Sequence, residues 1–257
     1  MSRVFVTGSS TGLGLMAGQL LADKGHQVVL HARDPARADK TREALPLAEA
    51  VVVGDISSLA GMRSVAEQVN NLGPFDAVIH NAGVGYREGQ RVRTDDGLPH
   101  VFAVNTLAPY VLTALIERPD RLVYLSSGMH RSASANLDDM RWERRAWDGA
   151  QAYAESKLHD VLLAFGVARR WPDVLSNALE PGWVPTRMGG PSAPDDLHQA
   201  HRTQAWLAVS DDPAALVTGR YFYHLRPREP NLEASDAALQ ERLLDACVGL
   251  SGVSLPA

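Results

Sequence analysis

The sequence predicts an α/β protein with one doubly wound, parallel sheet of about seven strands and helices on both faces. Short apolar runs alternate with helix-like stretches along the chain. The runs are continuously apolar, which is typical of parallel strands that are buried on both faces. A glycine-rich turn follows the first run and opens the first helical stretch, so the chain begins as a βαβ unit.

The predicted strands and helices follow one another without a break. The strand candidates are VFVTG, QVVLHA, AVVVG, DAVIHNAG, RLVYLSS and LSNALEPG, with a final strand in TGRYFYHL near 218–225. The helical stretches lie near 12–24, 35–45, 58–72, 97–117 and 151–171, before a last helix in ASDAALQERLLDAC. Because no repeat or long linker divides the chain, we expect residues 1–257 to form a single domain.

Composition and charge restrict the class of protein. With 257 residues, of which 45% are hydrophobic, the chain can fill a sizeable core. A net charge of -5 and a pI near 6.0 provide no general attraction to nucleic acids or anionic membranes. Cys247 is the only cysteine, which excludes an intrachain disulfide and fits a reducing compartment. The chain enters a strand at once and contains no apolar run of bilayer length, so we expect a cytoplasmic protein.

The turn after the first strand reads TGSSTGLG and contains Gly8, Gly12 and Gly14. Backbone can approach a pyrophosphate only where no Cβ intervenes, and a helix N-terminus supplies free N–H groups with a positive dipole end. The turn lies between a strand and a helix, as a nucleotide-binding motif requires. The sequence therefore predicts a dinucleotide site here; the alternative is a tight βα turn without a ligand.

Tyr153 and Lys157 lie one helical turn apart, on the same face of the stretch AYAESKLHDVLL. A free phenol has a pKa near ~10, and a cation within a few ångströms lowers it by roughly 1–3 units. We therefore predict that Lys157 brings the pKa of Tyr153 toward the range of a general acid/base. The alternative is a pair of solvated side chains.

Further motifs follow the glycine turn in order. They are HNAG at 80–83, VNTLAP around Asn105, LSS at 125–127, Tyr153-x-x-x-Lys157 and PGWVPT from Pro181 to Thr186. With these motifs the chain resembles the short-chain dehydrogenase/reductase family from residue 4 to about residue 187. DDGLPHVFAVNTLAPYVLTALI and YAESKLHDVLL are most similar to its retinol-dehydrogenase and protochlorophyllide-reductase-like branch.

The resemblance implies a catalytic set of Ser127, Tyr153, Lys157 and Asn105. Ser127 would donate a hydrogen bond to the substrate oxygen. Ser126 is the alternative, because alternation along a strand lets only one of the two face the site. Pro109 has no N–H to bond the carbonyl of Asn105, and we hypothesise that this carbonyl holds a water of the family's proton relay; a simple kink is the alternative.

The resemblance also implies a nicotinamide cofactor, and the second strand indicates which one. Ala32 stands where NAD-preferring members carry an acid, and the Arg33 guanidinium can bind a 2′-phosphate, so NADP(H) is favoured over NAD(H). Arg37 either assists or is a solvated surface residue, and Asp55 either contacts adenine or N-caps the helix near Ser58. The expected cofactor-binding residues are Gly8, Ser10, Thr11, Gly12, Leu13, Gly14, Arg33, Asp55, Ile56, Asn81, Ala82, Gly83, Tyr153, Lys157, Pro181, Gly182, Val184 and Thr186.

One segment departs from the compact family pattern. Residues 128–150 form a charged insert in which Trp142 and Trp147 either roof the substrate pocket or pack the insert onto the body. Residues 187–206 match the position of the family's substrate lid. His80 stands where the family more often has Asn, and its ring could alter the local pH behaviour. A monomer, a homodimer and a homotetramer all remain open.

These features predict an NADPH-dependent reductase of a small carbonyl substrate, or the reverse alcohol dehydrogenase, with Tyr153 as general acid/base. Reduction of a carbon–carbon double bond remains open within that reading. A non-catalytic NADP(H) sensor on the same fold is the alternative, and an intact Ser–Tyr–Lys set argues against it. A nucleotide-sugar epimerase is disfavoured by the short chain and the glycine spacing. The histidines have no ligand-like spacing, and we predict no metal site.

Overall fold

In a computed structural model, which describes residues 1–256, the chain forms an eight-stranded sheet in the order β3-β2-β1-β4-β5-β6-β7-β8. The strands are β1 Arg3–Val6, β2 Gln27–Ala32, β3 Ala50–Val53, β4 Ala77–His80, β5 Arg121–Leu125, β6 Leu175–Glu180, β7 Tyr221–Tyr223 and β8 Arg226–Pro227. Strands β1 to β7 are parallel, and β8 is a short antiparallel addition at the edge. The predicted doubly wound α/β fold is confirmed.

Helices connect the strands. They are α1 Gly12–Asp23, α2 Pro35–Ala44, α3 Leu59–Asn71, α4 His100–Phe102, α5 Ala108–Leu115, α6 Gly149–Arg170, α7 Leu197–Ala200, α8 Arg202–Val209 and α9 Ala237–Ser251. Of these, α7 and α8, between β6 and β7, are additional to those predicted. A π-helical turn, Ala103–Leu107, joins α4 to α5. The described part of the chain contains no helix that combines the length and apolar character needed to cross a bilayer.

Alternation along the strands divides the core between the two faces of the sheet. Phe5 and Val29 pack with the side chains of α3, α5, α6 and α9. Val4, Val28 and Leu30 point the other way and pack against α1, α2 and α8. Successive strand residues project to opposite faces, so continuously apolar strands fill both layers at once.

Local sequence explains where most of the helices begin. Asp34 caps α2 by accepting from the N–H of Arg37 at 2.9 Å, with Pro35 in the first helical position. Ser58 caps α3 through the N–H of Gly61, which excludes the alternative that Asp55 is the cap. Thr11, at the start of α1, makes no side-chain capping bond, so the first N–H groups of this helix remain available to a ligand.

Two buried histidines should make the fold sensitive to acid. Burial lowers the pKa of His80 to about 3 and that of His130 to about 4. Each binds a proton on unfolding at a higher pH than in the native state, so their contribution to stability is complete above about pH 6.5 and is lost as the pH falls from there. We expect the free energy of unfolding to decrease by up to about 1.4 kcal/mol per pH unit for each group in that window.

Urea denaturation between pH 8 and pH 4.5 measures this loss. His80→Asn, which keeps a polar group beside Thr113, should flatten the dependence, whereas substitution of the exposed His198 by Gln should not. An unfolding free energy that is constant from pH 7 to pH 5 in the wild type would contradict the assignment.

Candidate active site

One cleft of about 890 Å³ lies at the carboxyl ends of the parallel strands. This is where ligands bind in doubly wound sheets, and the volume is that of a site for a cofactor or a small molecule. One end of the cleft is formed by the glycine turn after β1, and the other by the loops after β4 and β6.

The glycine turn presents backbone without intervening side chains. A Cβ on Gly8, which has a φ of +60°, would lie 2.6 Å from the Cα of Ala82. A Cβ on Gly14 would lie against Asn81 Nδ2 and 2.8 Å from the Gly8 carbonyl oxygen. The uncapped start of α1 is in the same turn. The turn therefore fits a dinucleotide pyrophosphate, because the backbone lies open and helix N–H groups are free.

Gly14→Ala tests the close packing behind this turn. The added methyl group must displace Asn81 or the backbone of Gly8, so we expect a loss of roughly 1–3 kcal/mol of stability and a weaker affinity for a nicotinamide dinucleotide. Chemical denaturation and coenzyme fluorescence measure the two effects.

Gly249→Ala is the matched control, because nothing lies within 4 Å of a Cβ at this exposed position of α9. It should stabilise the protein by about 0.5–1 kcal/mol, as Ala does in a helix interior. Equal effects of the two substitutions would contradict the close-packing argument.

Two polar side chains hold the turn in place. His31 on β2 accepts the Gly8 N–H on Nδ1 at 3.0 Å, so its Nε2 donates to the Gly54 carbonyl at 2.9 Å. Asn81 donates to the Thr7 and Gly8 carbonyls at 3.0 and 3.1 Å, while its buried Oδ1 has no partner within the described residues. This unpaired buried oxygen in the cleft is a second observation that fits a polar ligand at this site.

Three charged residues surround the outer end of the cleft. Arg33 and Asp55 are both about half exposed, and the Arg33 Nε lies 4.0 Å from the Asp55 carboxylate. Arg37 also lines the cleft, although its Nε forms an ion pair with Asp34 at 3.1 Å. Two guanidinium groups and one carboxylate thus face the place where the adenosine end of a dinucleotide would lie.

Tyr153 and Lys157 are buried at the floor of the cleft, with only 6% and 4% of their surfaces exposed. The Lys157 Nζ lies 5.8 Å from the centre of the Tyr153 ring. Its ammonium donates to the Leu125 carbonyl at 2.7 Å and to Asp160 Oδ2 at 2.8 Å. No sequence motif marks Asp160, although its i, i+3 spacing after Lys157 places both on one helical face.

The pKa of Tyr153 differs from the expectation. Burial raises it, and the opposing effects of the Lys157 charge and the Ser127 hydroxyl do not cancel the rise. The prediction that Lys157 lowers the pKa below its usual value was therefore wrong in its net direction, because it ignored the desolvation of a side chain at the cleft floor. Tyr153 is a protonated phenol at neutral pH.

The two serines after β5 have different partners. Ser126 Oγ donates to the Lys157 carbonyl at 2.7 Å and so ties β5 to α6. The Ser127 hydroxyl faces the Tyr153 phenol and accepts from the Met129 N–H at 3.3 Å. Alternation at the strand end thus turns Ser127 toward the phenol, although Ser126 rather than Ser127 lines the large cleft.

Asn105 lies in the π-helical turn before Pro109. Its Oδ1 accepts from the Val84 N–H at 2.8 Å, and its Nδ2 donates to the Val84 carbonyl and to Ser156 Oγ, both at 3.0 Å. The chain widens here to an i, i−5 bond from the N–H of Ala108 to the carbonyl of Ala103, as occurs where proline removes an i, i−4 donor. Asn105 therefore fixes the loop after β4, and the relay water stays a prediction.

His80, one residue before the loop, has no role at the cleft. Its Nε2 contacts Thr113 Oγ1 at 3.0 Å and its ring packs on Tyr124. Since burial lowers its pKa to about 3, the ring stays neutral at physiological pH. The expectation that His80 alters the pH behaviour of the site was wrong.

The substrate half of the cleft combines Arg187, Met188 and Leu197 of the expected lid segment with residues after β4 that no sequence motif marks. Tyr86 packs edge-on against Tyr153 with ring centres 5.7 Å apart. Glu88 Oε1 lies 2.6 Å from His100 Nδ1, and both residues line the cleft. The mixture of aromatic and charged side chains here differs from the backbone-lined cofactor half.

The 128–150 insert packs beside this half rather than over it. Trp142 is 6% exposed, lies in the same hydrophobic cluster as Tyr153 and packs on the ring of Trp147, whose centre is 5.2 Å away. Trp147 Nε1 donates to the Glu88 carbonyl at 2.7 Å. Neither tryptophan lines the large cleft, so within residues 1–256 the insert supports the substrate loop from behind.

The structure brings most of the expected cofactor-binding residues to the cleft. Those that line it are Gly8, Ser10, Thr11, Gly12, Leu13, Arg33, Asp55, Ile56, Asn81, Ala82, Gly83, Tyr153, Lys157, Pro181 and Thr186. The other three expected residues, Gly14, Gly182 and Val184, do not line the cleft. Gly182 has a φ of +87° and packs against Asp195, while the Val184 carbonyl accepts from the Thr186 N–H at 2.7 Å. These residues shape the segment rather than face the cleft.

The carboxyl edge of a doubly wound sheet, with an open glycine turn and a buried tyrosine–lysine pair, defines a dinucleotide-binding protein of the Rossmann type. The sequence model of the family described as short chain dehydrogenase matches residues 2–128. An uncharacterized oxidoreductase of Emericella nidulans is 44% identical over 260 residues, which cover 100% of this chain and 99% of that protein. The chain belongs to the short-chain dehydrogenase/reductase family and is an oxidoreductase.

Other similarities support this placement. Human retinol dehydrogenase 13 is 30% identical over 98% of this chain and 85% of its own length, in agreement with the branch predicted from the motifs. The crystal structure of an uncharacterized protein from Mycobacterium paratuberculosis superposes with a TM-score of 0.84 at 26% identity, over 100% of this chain and 96% of that one. A blue fluorescent protein from a metagenomic library, solved with NADPH, has the same fold at 22% identity, with a TM-score of 0.70 over 86% and 95%.

Proposed function

We propose that the protein is an NADP(H)-dependent oxidoreductase that interconverts a carbonyl group and an alcohol on a small molecule. The observation that carries the proposal is the buried Tyr153–Lys157 pair at the floor of a cleft whose far end is the glycine turn. A phenol beside an ammonium in a water-poor site is suited to proton transfer at a fixed position.

Tyr153 is the proposed general acid/base, supported by Ser127, Lys157 and Asn105. A bound nicotinamide supplies or accepts the hydride. In reduction the Tyr153 hydroxyl gives its proton to the carbonyl oxygen, which Ser127 holds by a hydrogen bond. Lys157 stabilises the resulting phenolate, and Asn105 keeps the loop at Val84 in position. Because the pKa of Tyr153 is raised, its proton is present throughout the neutral range.

NADP(H) is the proposed cofactor because Arg33 faces the cleft at the end of β2 and Ala32 stands before it, where NAD-preferring members carry an acid. The complex of a structural neighbour with NADPH is consistent with this preference. Gly8 to Gly14 would hold the pyrophosphate, Asp55 and Ile56 the adenine, and Asn81 to Gly83 the inner ribose. The segment Pro181–Thr186 would hold the carboxamide.

A substrate panel tests the proposal. Aldehydes, ketones, quinones and α,β-unsaturated carbonyl compounds are incubated with NADPH or NADH, and the nicotinamide absorbance is followed. We expect oxidation of NADPH in preference to NADH with at least one carbonyl class. NADPH binding without turnover of any compound would instead support the non-catalytic sensor.

A further inference from the structure

The Lys157 ammonium is held from two sides by groups of the protein. Two of its three N–H donors go to the Leu125 carbonyl and to Asp160 Oδ2, at 2.7 and 2.8 Å. The side chains of Lys157 and Asp160 are only 5% and 3% exposed. This ion pair is therefore a desolvated contact in fixed geometry rather than a surface salt bridge.

Burial by itself works against a charged lysine. Desolvation lowers the pKa of fully buried lysines by up to about 3–5 units. In this site the charge and hydrogen bond of Asp160, joined at alkaline pH by the Tyr153 phenolate, outweigh burial, and the pKa of Lys157 lies above its usual value. Leu125 contributes only a carbonyl dipole, so Asp160 is the carboxylate that compensates the buried ammonium.

We propose that Asp160 is a positioning residue of the active site, which keeps Lys157 charged and fixed against the end of β5 and so extends the Tyr153–Lys157 pair to a Tyr–Lys–Asp array. This inference rests on the proposed function, in which Tyr153 transfers the proton. Asp160 acts through Lys157, whose orientation and charge it determines.

Other titratable groups surround Asp160 without replacing it. They are Lys157, Tyr153 and His159 on α6, Tyr124 on β5 and His80 on β4. Among the described residues, Lys157 is the charged group that perturbs Asp160. Burial raises the pKa of Tyr124 and lowers that of His80, so both stay neutral. His159 turns toward Thr106 and the Ala135 carbonyl.

The array has a specific pH dependence. Burial raises the pKa of Asp160 to about 7, against the opposing charge of Lys157. Above that pH the Asp160 carboxylate is charged, and this charge raises the pKa of both Lys157 and Tyr153. Removing the Asp160 carboxylate should therefore lower the pKa of Lys157 and the pKa of Tyr153. Below about pH 6 Asp160 is protonated, and the wild type and a neutral variant should behave alike.

Direct titration of Lys157 tests the proposal without any need for turnover. Lys24, Lys40 and Lys157 are the three lysines of the chain, and the first two are exposed. Protein labelled with ¹³Cε-lysine gives three signals, which Lys24→Arg and Lys40→Arg assign. Asp160→Asn keeps an oxygen acceptor for Lys157 and removes the charge. We expect the pKa of Lys157 to be at least about one unit lower in this variant.

Glu155→Gln is the matched control, because Glu155 is a buried acid on the same helix that pairs with Arg145 at 2.6 Å. The Lys157 titration should be unchanged in it. A Lys157 pKa that is the same in Asp160→Asn as in the wild type overturns the proposal. If Asp160→Asn does not fold, the wild type decides: a step in the Lys157 signal below the pH of its own titration, from Asp160, supports the array, and a Lys157 signal with a single titration overturns it.

A kinetic experiment distinguishes the failure of this proposal from the failure of the proposed function. For carbonyl reduction, the alkaline limb of kcat/KM should move to lower pH in Asp160→Asn, and the two profiles should converge below about pH 6. An alkaline limb of kcat/KM that lies at the same pH in the wild type and in Asp160→Asn overturns the positioning role, even if both proteins are active. Failure of the wild type to reduce any carbonyl refutes the proposed function, whereas the Lys157 titration still decides the role of Asp160.

Discussion

Tyr153→Phe should lower kcat for carbonyl reduction by about 10²–10⁴-fold, the range expected for loss of a general acid. The phenylalanine ring keeps the packing against Tyr86 and its place in the cluster that contains Trp142, so the fold and the affinity for NADPH should change little. Without the hydroxyl, the proposed proton donor to an oxygen held by Ser127 is lost. Steady-state kinetics and coenzyme fluorescence measure the two quantities separately.

Tyr223→Phe is the control for this substitution, because Tyr223 on β7 does not line the cleft. It should retain wild-type turnover. A Tyr153→Phe protein with near-normal kcat would refute the assignment of Tyr153 as the acid, and a protein that no longer binds NADPH would indicate a structural role instead.

Arg33→Asp should reverse the coenzyme preference from NADPH toward NADH. A hydrogen bond between charged groups contributes about 1.5–3 kcal/mol, which corresponds to roughly 10–150-fold in NADPH affinity. The new carboxylate also repels a 2′-phosphate and can bind the 2′-hydroxyl of NADH. The ratio of kcat/KM for the two coenzymes, measured with one carbonyl substrate, reports the change.

Two further variants serve as controls for the attraction that Arg33→Asp removes and the negative charge that it adds. Arg33→Ala removes the attraction without adding repulsion and should weaken NADPH binding without improving that of NADH. Arg42→Asp reverses an exposed charge on α2 that pairs with Asp39 outside the cleft, and it should leave the ratio unchanged. An unchanged ratio in Arg33→Asp would show that Arg33 does not bind the 2′-phosphate.

The predicted elements agree closely with the structure because strand and helix signals are local. The run QVVLHA corresponds to β2 from Gln27 to Ala32, and the helix predicted at 151–171 corresponds to α6 from Gly149 to Arg170. Pro109 indicated from the sequence that the helix is irregular at this point, and the structure has a π-helical turn there. Boundaries shifted where capping decided them, as at Ser58, because a cap depends on which side chain turns back to the backbone.

The site residues that local sequence signals did not reveal are brought together by the tertiary fold or owe their role to burial. Glu88 and His100 meet through a loop fold, and His31 reaches the glycine turn from the neighbouring strand. Asp160 could have been identified from the sequence, because it follows Lys157 at the i, i+3 spacing of one helical face. Its importance depends on the fact that both groups are buried, which a spacing does not reveal.

The sequence by itself determined the fold class, the family and the types of chemical group at the cleft, because periodicity, glycine spacing and the Tyr153–Lys157 spacing are properties of neighbouring residues. Only the tertiary structure decided the protonation of those groups. Packing of the 128–150 insert against α6, and of α6 against β5, removes water from Tyr153, Lys157 and Asp160. In such surroundings the free energy of a charge depends on desolvation and on the groups in direct contact, so the pKa of the phenol rises where its sequence neighbour alone would have lowered it.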